Sequence, residues 1–424
     1  MTLQRLENWF VCLSLVFLIG NPINVLLYGE SGDQVIENAQ GSFLEPGINM
    51  GIYAIALLFM LMRWRKVLHQ IGRGNVWVWA LVALILLSTS WSVMPEITLR
   101  RGMIVAGATL YGTYFATCFS FKQQLQFLAL AFGGVALLCL GFGLLLPHYG
   151  RMRVAPHDGA WRGVYIHKQA LGIQMTLSAA FFLTLLKSTL FRSQRRLIWT
   201  GLLGCIFLLI ASRSSTGLVA FLTIGISLLL FHMLQARVSI MAPVLSFSMI
   251  GVGGIGFYAV ENAESIFKWF GRDLSFTGRD ILWSSIWEMI NRRSLFGYGY
   301  EAFWTGAYSE PGIVQQAVGW EVPHAHNGLL ELLLAVGWVG ALLYLLVYLI
   351  NLFRALQFIR IYHHVEAFYP LVFLLYLALS NMTEKNLVNG GAVWILFVWV
   401  CFLPYASIRF VLMHLQATAA DEDL

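Results

Sequence analysis

The chain has 424 residues, of which 58% are hydrophobic and only 11% charged, with a mean hydropathy of +0.72. Soluble domains carry about 25% charged residues, so a water-soluble fold is excluded and a polytopic membrane protein is expected. The basic residues behind the net charge of +6 are scattered between apolar runs. That pattern suits anionic lipid headgroups or phosphates as partners, and argues against nucleic acid.

A spanning helix needs about 20 mostly apolar residues. Twelve stretches are candidates, at 9–28, 48–64, 76–93, 102–121, 124–146, 168–187, 197–211, 216–233, 240–260, 327–350, 366–380 and 391–413. The first contains Asn21-Pro22 and is the least regular; the seventh and eleventh are short. The first is also too long for the apolar core of a signal peptide and has no clear small-residue cleavage site, so it is read as a span. The expected fold class is an all-α polytopic membrane protein: a single bundle over residues 1–424 with twelve transmembrane helices. One large polar segment, 261–326, lies between the ninth and tenth. The five cysteines, Cys12, Cys118, Cys139, Cys205 and Cys401, all lie in apolar runs and read as small buried hydrophobes.

Orientation follows from Lys and Arg in the short loops. One set of span ends holds fourteen of the 27 Lys and Arg residues, among them Arg5, Arg63, Lys122, Arg195 and Arg360. The opposite set holds the other thirteen, five of them in 261–326, a segment too long for the charge rule to govern. Both termini are therefore expected on the cytoplasmic side and 261–326 on the outer side.

The outward segments carry the polar chemistry. The loop at 147–168 holds His148, Arg151, Arg153, His157, Arg162, His167 and Lys168. The seventh and eighth spans are joined by Ser212-Arg213-Ser214-Ser215-Thr216-Gly217. An ionisable residue at membrane depth is a functional hypothesis by default, and a guanidinium fork suits phosphate oxygens. Hydroxyls and Gly around Arg213 also suit an anion nest; snorkelling to headgroups is the plainer reading. In the long segment, Ile281 to Ile290 forms an amphipathic helix with Trp283 and Trp287 on one face, expected to rest at the membrane surface. Arg279 stands just before it, where backbone N–H groups favour anions, or where it pairs with Asp273 or Asp280. The run Gly297-Tyr298-Gly299-Tyr300 then breaks the helix.

His324 and His326 precede the tenth span, and Asn327 is its N-cap candidate. Imidazole at that boundary can take a proton from a hydroxyl. Side chains two apart do not share a helix face, so at most one of the pair enters a given cavity unless the backbone there is not yet helical. A metal would need a third ligand such as His157, His167 or Glu321, and no tight ligand spacing supports one. Arg100, Arg101, Arg162 and Lys168 read as headgroup or substrate-rim contacts.

These motifs, in order, resemble the O-antigen ligase and polymerase superfamily of bacterial envelope enzymes, including its exopolysaccharide-production branch. The resemblance rests on the twelve-span layout, Trp91-Ser92 with Pro95-Glu96 and Thr98 to Arg101, and Ser212-Arg213-Ser214. It continues through Gly278-Arg279 with Trp283, Gly297-Tyr298-Gly299, and His324-Ala325-His326-Asn327-Gly328 with Gly337 and Gly340. Gln169 departs from the Asn of many relatives. The resemblance implies glycan transfer from a polyprenyl-diphosphate-linked donor to a glycan or lipid acceptor at the periplasmic face of the inner membrane. By position, Arg213 and Arg279 would bind the donor diphosphate and His326 would be the catalytic base. His324, Arg100, Arg101, Arg162 and Lys168 would be accessory. The diphosphate is already a good leaving group, so neither a metal nor another cofactor is called for. Two other classes compete: a transporter or flippase of polyprenyl-linked sugars, which should place ionisable groups near the bilayer midplane, and a non-catalytic assembly subunit, which should tolerate changes at His326.

Overall fold

The computed structural model describes residues 2–28, 44–73, 75–153, 157–234, 277–305, 310–319, 322–362, 364–382 and 384–403. Those residues are overwhelmingly helical, with a single isolated β-bridge between Arg151 and Trp161. In chain order the helices are α1 (Leu3–Gly20), α2 (Pro22–Tyr28), α3 (Leu44–Leu61), α4 (Trp64–Arg73), α5 (Val76–Leu87), α6 (Pro95–Cys118) and α7 (Phe121–Leu145). There follow α8 (Lys168–Leu186), α9 (Arg195–Ala211), α10 (Ser215–Leu234), α11 (Thr277–Arg292), α12 (Glu310–Val318), α13 (Gly328–Tyr362), α14 (Tyr369–Ser380) and α15 (Ala392–Leu403). Among the described residues six helices are long and apolar enough to cross a membrane, or seven if the bent pair around residue 73 counts as one span. α14, α15 and part of α10 are shorter apolar helices. The protein is thus an all-α, multi-pass membrane protein. The expected ninth span, 240–260, and residues 261–276, 306–309 and 320–321 of the expected outer segment lie outside the described residues.

The helix ends follow local chemistry. α1 stops at Asn21, which adopts a left-handed φ of 41° before Pro22. α7 begins with a capping box in which Ser120 and Gln123 satisfy each other's backbone. α6 begins at Pro95, seven residues before the expected start at 102, because proline suits the first helical turn. Arg100 and Arg101 consequently sit on a helix and not in a loop. α13 runs to Tyr362, past the expected end at 350; its polar continuation packs Phe358 and Tyr362 edge-on against Phe121 at 5.7 and 5.6 Å.

α8 is the most enclosed span, 83% buried against 17% for α3. α9, α10 and α14 pack around it. Small residues let backbones approach, as membrane packing requires. A Cβ at Gly112 would lie 2.8 Å from the Ile395 carbonyl, and one at Gly172 would lie 2.3 Å from Ser214 Cβ. Some buried polar groups are paired between helices. Trp394 Nε1 donates to Thr109 Oγ1 at 2.8 Å, and Trp399 Nε1 donates to Gln124 Oε1 at 2.9 Å. At the end of the bundle holding the N-terminus, buried Glu7 accepts the Arg63 fork at 2.5 and 2.6 Å and the Tyr114 hydroxyl at 2.9 Å.

The feature that shapes the other end is a break in α13 at Gly337, with φ 64° and ψ −166°. In an unbroken helix, Trp338 and Val339 would donate to Leu334 and Ala335. Here they donate to Ser294 and Leu295 at 2.8 and 3.2 Å. The freed carbonyls of Leu334 and Ala335 accept instead from Tyr298 N and Gly299 N at 2.8 and 3.0 Å. Segment 294–299 is threaded into the helix, and each partner lost is replaced. That satisfies the requirement for irregular backbone at membrane depth. Gly297 and Gly299 take positive φ, as the expected helix-breaking role of this run requires, and a Cβ on either would strike Leu334 O or Ser92 Oγ.

α11 packs on α12 and α13 as well as presenting aromatics outward. Its buried stripe is Leu282, Ile286, Met289 and Ile290. Trp283 and Trp287 flank that stripe. Trp287 is exposed and lies 6.4 Å from Trp338. The expected surface helix is therefore anchored on one side by protein, because its apolar stripe is wider than two tryptophans.

Candidate functional site at the histidine turn

The turn before α13 is built by a cap. Asn327 Oδ1 accepts from Leu329 N at 3.0 Å and Leu330 N at 3.2 Å, filling two of the donors a helix start leaves open. The chain ahead of it is not helical: His326 has a left-handed φ of 50°. The two imidazoles therefore come together, with ring centroids 4.0 Å apart. His326 N donates to His324 Nδ1 at 3.2 Å. An accepting Nδ1 is unprotonated, so neutral His324 carries its proton on Nε2. His324 is less free than its distance from the cap suggests in sequence, since it holds the backbone of His326.

Beneath the turn lies a carboxylate to which the sequence reading gave no role. Glu331, one turn into α13, accepts from Ala325 N and from Trp304 Nε1, the latter at 2.9 and 3.2 Å to its two oxygens. Trp283 Nε1 donates to Ala325 O at 3.0 Å. Both backbone groups of the residue between the histidines are thus gripped by side chains from α11 and α13. A cavity beside Glu331 is lined by Tyr300, Glu301, Trp304 and Lys385. Lys385 Nζ pairs with Glu301 at 2.8 Å. Burial pushes the Lys385 ammonium down, but Glu301 and Glu331 outweigh it and hold it above its usual value. The available signal for Glu331 was an acidic residue inside an apolar run; for Lys385 and Glu301 none was present, because their pairing joins distant loops.

Arg213 occupies the turn between α9 and α10 with a left-handed φ of 49°. Three backbone donors of the turn are committed to the protein itself. Ser212 N, Arg213 N and Ser214 N are spent on Leu208 O, Ile210 O and Ser212 Oγ, at 2.9, 3.0 and 3.2 Å. What the turn presents is the side chain: Arg213 is exposed, with no side-chain hydrogen bond or ion pair among the described residues. Lys168 Nζ reaches the Arg213 carbonyl at 3.3 Å, which joins two of the predicted residues. His167 Nδ1 caps α8 by accepting from Gln169 N at 3.3 Å, and its ring lies 5.6 Å from that of His157.

The Arg213 and histidine turns are linked through α14. α10 packs on α14, and Asn381 at the end of α14 accepts from Gly328 N at 2.9 Å. Position 279 lies in the first turn of α11, one turn ahead of the Trp283 contact; the Arg279 side chain lies outside the described residues. Arg162 is nearly buried and donates through Nε to Tyr149 O at 2.7 Å, which ties its own loop together. Burial, then Arg153, lowers its pKa from the ordinary guanidinium value. Arg100 and Arg101 line a separate pocket on α6. Among the described residues no three His, Cys, Asp or Glu stand together as metal ligands; Glu321 lies outside them.

The family model described as O-antigen ligase matches residues 200–345, a range that takes in Arg213, Arg279 and both histidines. The exopolysaccharide production protein ExoQ of Rhizobium meliloti (strain 1021) is 24% identical over 331 residues, covering 73% of this chain and 71% of that protein.

Proposed function

Since the chain is related to the O-antigen ligase and polymerase superfamily, we propose that it is an envelope glycosyltransferase working at the periplasmic face of the inner membrane. It moves a glycan from a polyprenyl-diphosphate carrier to a hydroxyl of a glycan or lipid acceptor. The observation that carries the reading is the histidine turn: two imidazoles 4.0 Å apart, held by a cap and a carboxylate at the start of a span. His326 takes the proton of the acceptor hydroxyl as its oxygen attacks the anomeric carbon. The bond from that carbon to the diphosphate oxygen breaks, and the electron pair leaves with the diphosphate. Arg213 and Arg279 hold the diphosphate and stabilise its growing charge. His324 orients His326 through its backbone, and Lys168 steadies the Arg213 turn.

The test is product analysis with the purified protein in nanodiscs and a lipid-linked donor. His326→Ala should lower transfer by about 10²–10⁴-fold, with donor binding kept. His324→Ala should be milder. A His326→Ala protein that transfers glycan at a near-normal rate would sink the assignment.

A further inference from the structure

Beside the histidine turn, three charged side chains from distant parts of the chain line one small cavity. Its volume is about 20 Å³, room for a single water. Glu331 comes from the first turn of α13, Glu301 from the residues just after Gly299-Tyr300, and Lys385 from the loop between α14 and α15. Lys385 Nζ contacts Glu301 Oε2 at 2.8 Å, and the two side chains are only 26% and 21% exposed. The ammonium also lies close enough to Glu331 for the two to act on one another electrostatically. Arg101 is a further charge within reach of Lys385.

Both partners of the contact are set in fixed backbone. Glu301 has a left-handed φ of 58°, a conformation that a residue with a Cβ keeps only where its surroundings impose it. The imposing contacts come from the stretch between Ser88 and Thr98, which includes the Trp91-Ser92 and Pro95-Glu96 motifs that the proposed chemistry does not use. Trp91 Nε1 donates to Phe296 O at 2.9 Å and Val93 N to Tyr298 O at 2.9 Å. Tyr300 N donates to Ser88 Oγ at 3.2 Å, and Thr98 Oγ1 donates to Tyr300 O at 3.0 Å. Lys385 is tied on either side: Glu384 N donates to Ser380 O at 2.9 Å and Asn386 N to Asn381 Oδ1 at 2.7 Å. The Tyr300 hydroxyl joins the two segments by donating to Val388 O at 2.7 Å. All of this brings an ammonium to the cavity that Glu331 lines, and Glu331 is the carboxylate that accepts from Ala325 N between the histidines.

We propose that Lys385 and Glu301 are positioning residues for glycan transfer: Glu301 places the ammonium, and the ammonium keeps Glu331 seated on Ala325 N, which fixes the two imidazoles. Without Lys385, two carboxylates line one water-sized cavity with no ammonium beside them, and like charges at that range repel. Movement of Glu331 relieves the repulsion, frees Ala325 N and lets the histidine turn drift. Small misplacements of a reacting group are costly in rate. The part in transfer rests on the glycosyltransferase reading; the hold on the turn does not.

Amide hydrogen exchange of the full-length protein in phosphatidylcholine nanodiscs reads the turn without any substrate. Lys385→Met should speed exchange at Ala325 by about tenfold or more, while the Ser120-capped start of α7 stays unchanged. Lys385→Arg should restore part of the protection. Adding Glu301→Gln to Lys385→Met should slow exchange again, because one carboxylate then faces the cavity alone. Lys385→Gln takes the place of Lys385→Met if the latter does not fold. Unchanged exchange at Ala325 in the folded single variant overturns the proposal. So does a double variant that exchanges as fast as the single one or faster, since the contact would then be packing and not charge. In transfer assays with a lipid-linked donor, Lys385→Met should lower kcat by about tenfold or more with donor KM unchanged; an unaltered kcat overturns the role in transfer. If the wild type transfers no glycan while the exchange pattern holds, the glycosyltransferase reading falls and the positioning of the turn stands.

Discussion

Replacing Gly337 by alanine tests the central feature of the fold. At φ 64° and ψ −166° the residue occupies a backbone region open essentially to glycine alone. A Cβ there would lie 2.2 Å from Leu295 O and 2.5 Å from Phe296 N, both backbone atoms. If the break is kept, alanine brings about 1–3 kcal/mol of backbone strain and about 1–3 kcal/mol of overpacking. If α13 straightens instead, Trp338 N and Val339 N regain helical acceptors. The donors of buried Tyr298 and Gly299 then lose theirs, at about 1–3 kcal/mol each. Either route gives a loss of about 2–6 kcal/mol, measurable as denaturant unfolding in mild detergent. Gly204→Ala is the reference: a Cβ there meets nothing within 4 Å, so the change should be neutral or stabilising by about 0.5–1 kcal/mol. Equal stability of the two variants would refute the threaded-helix account.

Glu331→Gln should reduce turnover by about tenfold or more through loss of a charge-assisted contact to the histidine turn, with donor KM unchanged; unaltered kcat in the folded variant counts against a positioning role. Arg213→Lys and Arg279→Lys should each lose about ten- to a hundredfold in transfer, because an ammonium lacks the bidentate fork; near-normal turnover would mean that these residues only snorkel. The Lys385–Glu301 pair raises the pKa of Lys385, so its contribution is fully present below about pH 10 and is lost only as pH rises through the folded-state value. The thermal-stability gap between wild type and Lys385→Met should therefore stay flat from pH 6 to pH 9 by about 0.5 kcal/mol or better. For orientation, a cysteine placed at Ser309 in a background without the native cysteines should react with a membrane-impermeant reagent in intact spheroplasts; reaction only after lysis reverses the predicted sidedness.

The amino-acid sequence by itself determined the class of protein and the start of the histidine turn, since both are written in near-neighbour terms. Apolar runs of span length specify helices, and Asn327 two and three residues ahead of the amides it serves specifies a cap. The polar loops between the apolar runs were legible for the same reason. Only the tertiary structure decided what those loops do to one another. The exchange of carbonyl partners between 294–299 and 334–339 links residues about forty positions apart, and no periodicity encodes it. It converts Gly337 from a glycine inside an apolar run into the point where a span opens. The same non-local closure brings Glu331 under Ala325 and Lys385 against Glu301, and sets Arg101 in a pocket with Asn21. The pairing of the histidines was decided by a left-handed residue at 326, a conformation the cap permits and the surrounding contacts select.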